Sequence, residues 1–381
     1  MPGEKKSRRG FIRTVGIGAT TIPALFSALG AEDKGGETLD KNFLIDRPEL
    51  TLECINSPAE RRLSFQNFQG SPQAWRKACR AKLAELLSVS LPFPGEVKEL
   101  RRTVYRGVEI RALAMQVGPG LTLPAYLLLP GKRTDSARGF LAIHGHGQVE
   151  PLIGFEDDPH HGFGLEMARA GYTVLCPELR GFGTLRNLTF GKEGYWLDYW
   201  DRARGRQFTL VTDDFLYGRT LIGRHVEDLL RWESWFCRSQ GLREVDVAGL
   251  SYGGDLALAY PVFSSRVRKI FASGTLGSFS AIFARCYNAP AHCIPGVLAW
   301  MDRSDIAGLN APRPIALHYG ELDTPGPENS SASYNETVQP AVEELKAIYR
   351  AFDAVDNIRL VVSAGKEHEM DIGELKAFFA G

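Results

Sequence analysis

From about residue 101 to the C-terminus, short apolar runs alternate with longer stretches in which apolar residues recur every three or four positions. The runs are rich in Val, Ile, Leu and Phe and predict buried strands at 103–108, 123–129, 140–143, 173–176, 245–248, 269–272, 314–318 and 358–362. The stretches between the later runs predict helices at 164–170, 220–237, 255–262, 341–352 and 372–379. Apolar strands separated by helices imply an α/β protein whose mostly parallel sheet is covered on both faces. Two stretches, 183–219 and 277–311, break the alternation. They are expected to be cap-like excursions above the strand ends, where α/β proteins build their pockets.

Ahead of this body the period is helical. Trp75, Cys79, Leu83 and Leu86 or Leu87 share one stripe, with Arg76, Lys77, Arg80 and Lys82 elsewhere. Ser71 is placed to cap this helix and Pro72 to open it, while Pro92 and Pro94 close the unit. Residues 32–48 are polar and read as a linker. The expected organisation is a leader over 1–31, a linker and N-terminal helical extension over 32–98, and a main domain over 99–381.

The leader is read as an address. Lys5, Lys6, Arg8, Arg9 and Arg13 precede an apolar run from Val15 to Leu29, interrupted by Gly16, Gly18 and Pro23. Ala28, Gly30 and Ala31 supply the small residues of a signal-peptidase cut. The run is too short and too rich in Gly and Thr for a stable membrane span. Ser7-Arg8-Arg9-Gly10-Phe11-Ile12-Arg13 resembles the bacterial twin-arginine export signal. The expected residence is periplasmic or extracellular.

Lys+Arg and Asp+Glu both number 45, so the 381-residue chain is formally neutral. It lacks the basic excess of a general nucleic-acid binder or of a protein held on anionic lipid. The six cysteines are too few for a disulfide scaffold. Cys54, Cys79, Cys176 and Cys237 are expected as buried thiols, while Cys286 and Cys293 are near enough in sequence to pair.

Candidate chemistry begins at Gly249-Leu250-Ser251-Tyr252-Gly253-Gly254, between a predicted strand and a predicted helix. In that context G-x-S-x-G is a nucleophile elbow. The turn is so tight that the residues two before and two after the serine must lack bulk. A serine hydroxyl needs a base, and the base needs an orienting acid. In this architecture the acid and then the histidine follow the serine. Asp323 stands past the strand at 314–318, with Glu321 as local competitor, and His368 stands between the last strand and last helix. His318, inside a strand, is expected in the core or behind the site. The oxyanion donors are expected to be the backbone N–H of Tyr252 and that of His146, in the loop His144-Gly145-His146-Gly147.

His144 and His146, with Asp157, Asp158, His160 and His161, pose a rival metal reading, since an extended HxH pair puts two rings on one face. The HxHxDH pattern of binuclear hydrolases is interrupted by Gln148 and Val149, and no HExxH or cysteine cluster occurs. No metal is expected, and nothing in the sequence calls for a cofactor.

The region from about residue 100 resembles α/β-hydrolases of the acetyl xylan esterase and dienelactone-hydrolase-like group. The likeness rests on the HGHG loop, the segment 170–183 (AGYTVLCPELRGFG), GLSYGG, the segment 311–323 (APRPIALHYGELD) and His368. The helix around Trp75 and Arg76 also resembles the lead-in of bacterial members. The acid loop departs from the group's pattern, continuing Thr324-Pro325-Gly326-Pro327. The resemblance implies an esterase acting on small-molecule or carbohydrate esters: His368 deprotonates Ser251, an acyl-enzyme forms, and water releases the acid. A peptidase or lactone hydrolase on the same three residues is the alternative, and a non-catalytic binding protein of this fold is a further one. For substrate contacts, the excursion at 183–219 offers Trp196 and Trp200 as sugar-stacking planes, with burial of the excursion against the sheet as the alternative, and Arg180 stands just before it, where a structural ion pair would explain it equally well.

Overall fold

The apolar runs pair into one sheet whose middle strands are buried on both faces. The computed structural model describes residues 60–90, 95–132, 138–183, 204–279, 290–323 and 334–380. Among these, nine strands pair in the order β1-β2-β3-β5-β4-β6-β7-β8-β9. They are β1 (Glu96–Tyr105), β2 (Val108–Gly118), β3 (Leu121–Leu129), β4 (Arg138–Ile143), β5 (Thr173–Pro177), β6 (Glu244–Leu250), β7 (Val267–Ser273), β8 (Ile315–Gly320) and β9 (Ile358–Ser363). The β1/β2, β2/β3 and β3/β5 pairs are antiparallel, and every other pair is parallel. The described helices are α1 (Pro72–Leu87), α2 (Phe163–Arg169), α3 (Arg204–Leu216), α4 (Leu221–Gln240), α5 (Tyr252–Ala259), α6 (Arg303–Gly308), α7 (Tyr334–Arg350) and α8 (Ile372–Ala380).

Alternation along each strand divides the interior into two cores. Leu141 and Ile143 of β4 join Val245 and Val247 of β6 on one face, while Phe140 and Ala142 join Ala248 and Leu250 on the other. The first core is completed by Trp75 from α1, Trp232 and Phe236 from α4, and Leu345 from α7. The second takes Phe163 and Met167 from α2 and Leu375 and Phe379 from α8. Burying a side chain of this size is worth about 1.5–3 kcal/mol, so the two helical layers are held chiefly by these stripes. Helix α1 falls in the same compact unit as the sheet. Its cap is as expected: Ser71 Oγ accepts from Ala74 N at 3.2 Å and Pro72 is the first helical residue.

Three expectations are corrected. The strand expected at 103–108 straddles a hairpin turn, because Arg106 and Gly107 both take positive φ, 47° and 79°, and reverse the chain between β1 and β2. Part of the excursion at 183–219 is helical, namely α3. The helix expected at 341–352 begins earlier, at Tyr334, so that Pro340 lies inside α7; the buried stripe of Val342, Leu345, Ile348 and Tyr349 outweighs the backbone bond it forfeits. Cys79, Cys176 and Cys237 are buried free thiols and Cys293 is a half-buried one. Cys54, Cys286 and the leader over 1–31 lie outside the described residues.

The parallel strands β4 to β9 send their C-terminal ends to one edge of the sheet. His144 follows β4, Leu179 follows β5, Ser251 follows β6, Gly274 follows β7, Asp323 follows β8 and His368 follows β9. In open parallel sheets that edge is where sites are assembled.

Candidate active site

Between β6 and α5 the chain reverses within one residue. Ser251 takes φ 57° and ψ −122°, and its side chain does not cap the helix it precedes. The hydroxyl is thereby held clear of the backbone. Its own N–H donates to Ser273 O at 2.8 Å and its carbonyl accepts from Asp255 N at 3.1 Å. A Cβ on Gly253 would collide with the His144 carbonyl carbon at 2.8 Å, and one on Gly249 with Gly254 N at 2.8 Å. This is the steric demand that the glycines of the elbow satisfy. Tyr252 opens α5, and the first N–H of a helix has no partner within it.

Ser273, which receives the Ser251 amide, is followed by Gly274, where a Cβ would stand 2.6 Å from His368 Cε1. The imidazole therefore packs directly on Gly274, next to the residue that receives the Ser251 amide. Its Nδ1 is 2.9 Å from Asp323 Oδ2. Asp323 is buried, whereas Glu321 is exposed and accepts from Gly365 N at 2.8 Å. Of the two carboxylates considered, it is Asp323 that meets His368. Among the described residues, His368 Nε2 makes no hydrogen bond, so the Ser251 hydroxyl and the imidazole are not bonded to each other.

The HGHG loop is held by its own first histidine. His144 is fully buried; Leu179 N donates to its Nε2 at 3.0 Å, so its proton sits on Nδ1 and is donated to Gly145 O at 2.8 Å. Burial pushes its pKa down to about 3 and keeps it neutral. A trans peptide carries its C=O and N–H in opposite directions. Anchoring the Gly145 carbonyl on His144 thus sets the plane that contains the His146 N–H. The His146 ring lies against Phe182, Tyr252 and His292, with centroids 5.6, 5.5 and 5.2 Å away.

Three polar groups around the elbow were not singled out from the sequence. Tyr252 donates its hydroxyl to His225 Nδ1 at 2.7 Å, and His225 Nε2 donates to Arg180 O at 3.0 Å. Asp255, four residues past the serine, accepts from His292 Nδ1 at 2.5 Å and also from Thr275 and Arg303. Burial pushes His225 and His292 down to about 3. The available signals were a histidine on the apolar stripe of α4 and an aspartate opening the otherwise apolar α5. His318, as expected, is in the core, between Ser273 Oγ at 2.8 Å and Ser363 Oγ at 3.0 Å, and burial lowers it to about 4.

The expected substrate contacts fare differently. Arg180 forms a two-pronged pair with Asp228, at 2.5 and 2.7 Å, and both side chains are almost wholly buried. Its guanidinium is thus held in an ion pair with α4, the structural role weighed for it beside substrate contact, while it also lines a cavity with Leu210, Asp214 and Tyr217. Trp196 and Trp200 lie outside the described residues. Among the described residues no group of three or more His, Cys, Asp or Glu converges as metal ligands.

No family model matches the chain, and no curated protein sequence does. Solved structures do. A candidate acetyl xylan esterase from Bacteroides fragilis NCTC 9343 aligns over 86% of this chain and 83% of its own, with TM-score 0.64 and 17% identity. The fold is that of an α/β-hydrolase. A methylesterase matches this hydrolase fold at TM-score 0.58 and 17% identity, over 87% of this chain and 67% of its own. A glucuronoyl esterase from Solibacter usitatus matches at TM-score 0.53 and 12% identity, over 84% and 96%.

Proposed function

We propose that the protein is an exported serine hydrolase that cleaves carboxylic esters of carbohydrates through Ser251, His368 and Asp323. The observation that carries the reading is the strained elbow at Ser251 with the His368–Asp323 pair packed on the adjoining residue Gly274. Structural neighbours named for esterases of sugar substrates favour the substrate class.

In this mechanism His368 Nε2 accepts the Ser251 proton as Oγ attacks the ester carbonyl, and the hydrogen bond between them closes on substrate binding. Asp323 stabilises the imidazolium through Nδ1. The oxyanion of the tetrahedral intermediate receives the backbone N–H groups of Tyr252 and His146. Collapse expels the alcohol, which takes the proton from His368 and leaves an acyl-serine. Water, deprotonated by the same imidazole, attacks the acyl group; the acid leaves and Ser251 regains its proton. The twin-arginine-like leader would deliver the folded enzyme to a compartment where extracellular polysaccharide is available.

The test is a panel of acetyl, methyl-uronate and feruloyl sugar esters on the mature protein, with aminoacyl amides and lactones alongside, and a fluorophosphonate label located by mass spectrometry. Label on Ser251 alone and turnover of a sugar ester are expected, with Ser251→Ala and Asp323→Asn reducing turnover by about 10⁴-fold. Absence of label, or full activity in Ser251→Ala, would overturn the reading. Full activity in Asp323→Asn with none in Glu321→Gln would move the acid to Glu321.

A further inference from the structure

Gly145 sits between the strand β4 and the proposed oxyanion donor, and as a glycine it has more backbone freedom than any residue that could stand there. Its carbonyl is fixed by His144, as described above. Its N–H is fixed from another part of the chain: it donates to His160 Nε2 at 2.9 Å. His160 is buried, and because its Nε2 accepts, its proton is on Nδ1, which lies 2.9 Å from both carboxylate oxygens of Asp158. Asp158 also accepts from the His160 backbone N–H at 2.7 Å. Burial works against that carboxylate, but the bonds from His160 outweigh it and hold its pKa below the ordinary value.

We propose that His160, oriented by Asp158, is a positioning residue for the oxyanion hole: its Nε2 fixes the Gly145 amide and so aims the next amide, that of His146. With His160 on the N–H of Gly145 and His144 on its C=O, both peptide planes flanking the glycine are pinned. The inference rests on the serine-hydrolase reading and adds to it a residue far from the serine in sequence.

The surroundings make the aim stiff and tie it to the base. A Cβ on Gly145 would stand 2.7 Å from Leu250 O and 3.1 Å from Ser251 Cβ, so the amide being aimed runs directly past the nucleophile. The segment that carries His160 is anchored at both ends. Pro159 O accepts from Met370 N at 2.8 Å, and His161 bonds to Glu369 at 2.5 Å. His161 itself takes φ 51°, a conformation that a non-glycine residue keeps only where its surroundings dictate it. Asp158–His161 thus joins the oxyanion loop to the loop of His368.

The test compares His160→Gln with His160→Asn in the full mature protein. Glutamine places an acceptor near the position of Nε2, whereas asparagine reaches only as far as Nδ1. For ester turnover, His160→Asn is expected to lose kcat by about 10²-fold with KM within a few-fold, while His160→Gln stays within about tenfold of wild type. The rate of Ser251 phosphonylation should fall in parallel, and labelling to completion normalises each rate to the folded fraction, so partial misfolding does not blur the comparison. Equal kcat in wild type and His160→Asn, or a loss that falls on KM alone, would overturn the assignment of His160 while leaving Ser251 as nucleophile. Failure of wild type itself to label would overturn both.

Discussion

Ser251→Gly should be more stable than Ser251→Ala, although glycine is normally the more destabilising replacement. Ser251 holds φ 57° with ψ −122°, well outside the left-handed basin near ψ +47° that non-glycine residues visit. The strain belongs at the upper end of the range for such conformations, about 2–3 kcal/mol. Alanine keeps the Cβ and therefore the strain, and glycine removes both. Against this stand an entropic cost of about 0.5–1 kcal/mol for glycine in the unfolded chain and about 0.8 kcal/mol for one lost buried carbon. The balance favours glycine by roughly 1 kcal/mol, about 2 °C in Tm for a domain of this size. Both variants lack the proposed nucleophile, so urea unfolding compares them free of any difference in turnover. A Ser251→Gly protein equal to or less stable than Ser251→Ala would refute the claim that the elbow stores strain. The hydroxyl's freedom from the helix cap would then need another cause.

Arg180→Met should lower stability by about 3–5 kcal/mol, because it leaves the Asp228 carboxylate buried without its partner. KM for a sugar ester should stay within a few-fold; a tenfold rise in KM with unchanged unfolding free energy would return Arg180 to substrate binding. His225 gives a pH test. Its folded pKa, about 3, lies below the 6.5 of the exposed side chain. As pH falls below 6.5 the unfolded state takes up a proton that the folded state refuses, so wild type loses roughly 1.4 kcal/mol per pH unit down to about 3. His225→Gln lacks this loss, so the stability gap between the two proteins should narrow at that rate in denaturation curves from pH 7.5 to 5. A constant gap would mean that His225 takes up its proton in the fold as readily as in the unfolded chain. Comparing the two proteins isolates this group from Asp305, which burial raises to about 6 and which acts in the opposite sense over part of the same range.

What could be read from the sequence was whatever is local. The elbow is six consecutive residues whose glycines answer a steric demand within the same turn, and the strands β4 to β8 announce themselves because burial on both faces leaves them mostly apolar. The front hairpin was harder. Strand β1 lies at the sheet edge with Leu100 and Val104 exposed among charged residues, so it carries no apolar alternation. A register shift between Glu99 and Arg101 also breaks the period that β2 would otherwise present. Arg180 could not be assigned from sequence because its partner Asp228 lies a long segment away, on α4. His160 shows the same limit: its residue type was noticed, but only the return of the chain past Gly145 gives it a task.

The contrast among the histidines bears on how such a site can work at all. His144, His160, His225 and His318 each bond through both ring nitrogens, and His292 bonds through Nδ1 to Asp255. A neutral imidazole is both donor and acceptor, so between two fixed partners it has a direction and transmits that direction from one backbone segment to the next. Burial deepens this for His144, His225 and His292 by placing protonation far below neutral pH. His368, like His292, has Nδ1 on a carboxylate, but its ring is 18% exposed against 1% for His292, and its Nε2 makes no hydrogen bond among the described residues. The same side-chain type thus serves two ends: rings bonded at both nitrogens tie neighbouring segments together, and the partly exposed ring of His368 is the one to which the proposed mechanism gives a proton. Were several of these rings free to titrate near neutrality, each protonation would turn an acceptor into a donor and release a neighbouring segment, and the geometry at Ser251 would change with pH for reasons unrelated to the base proposed for it.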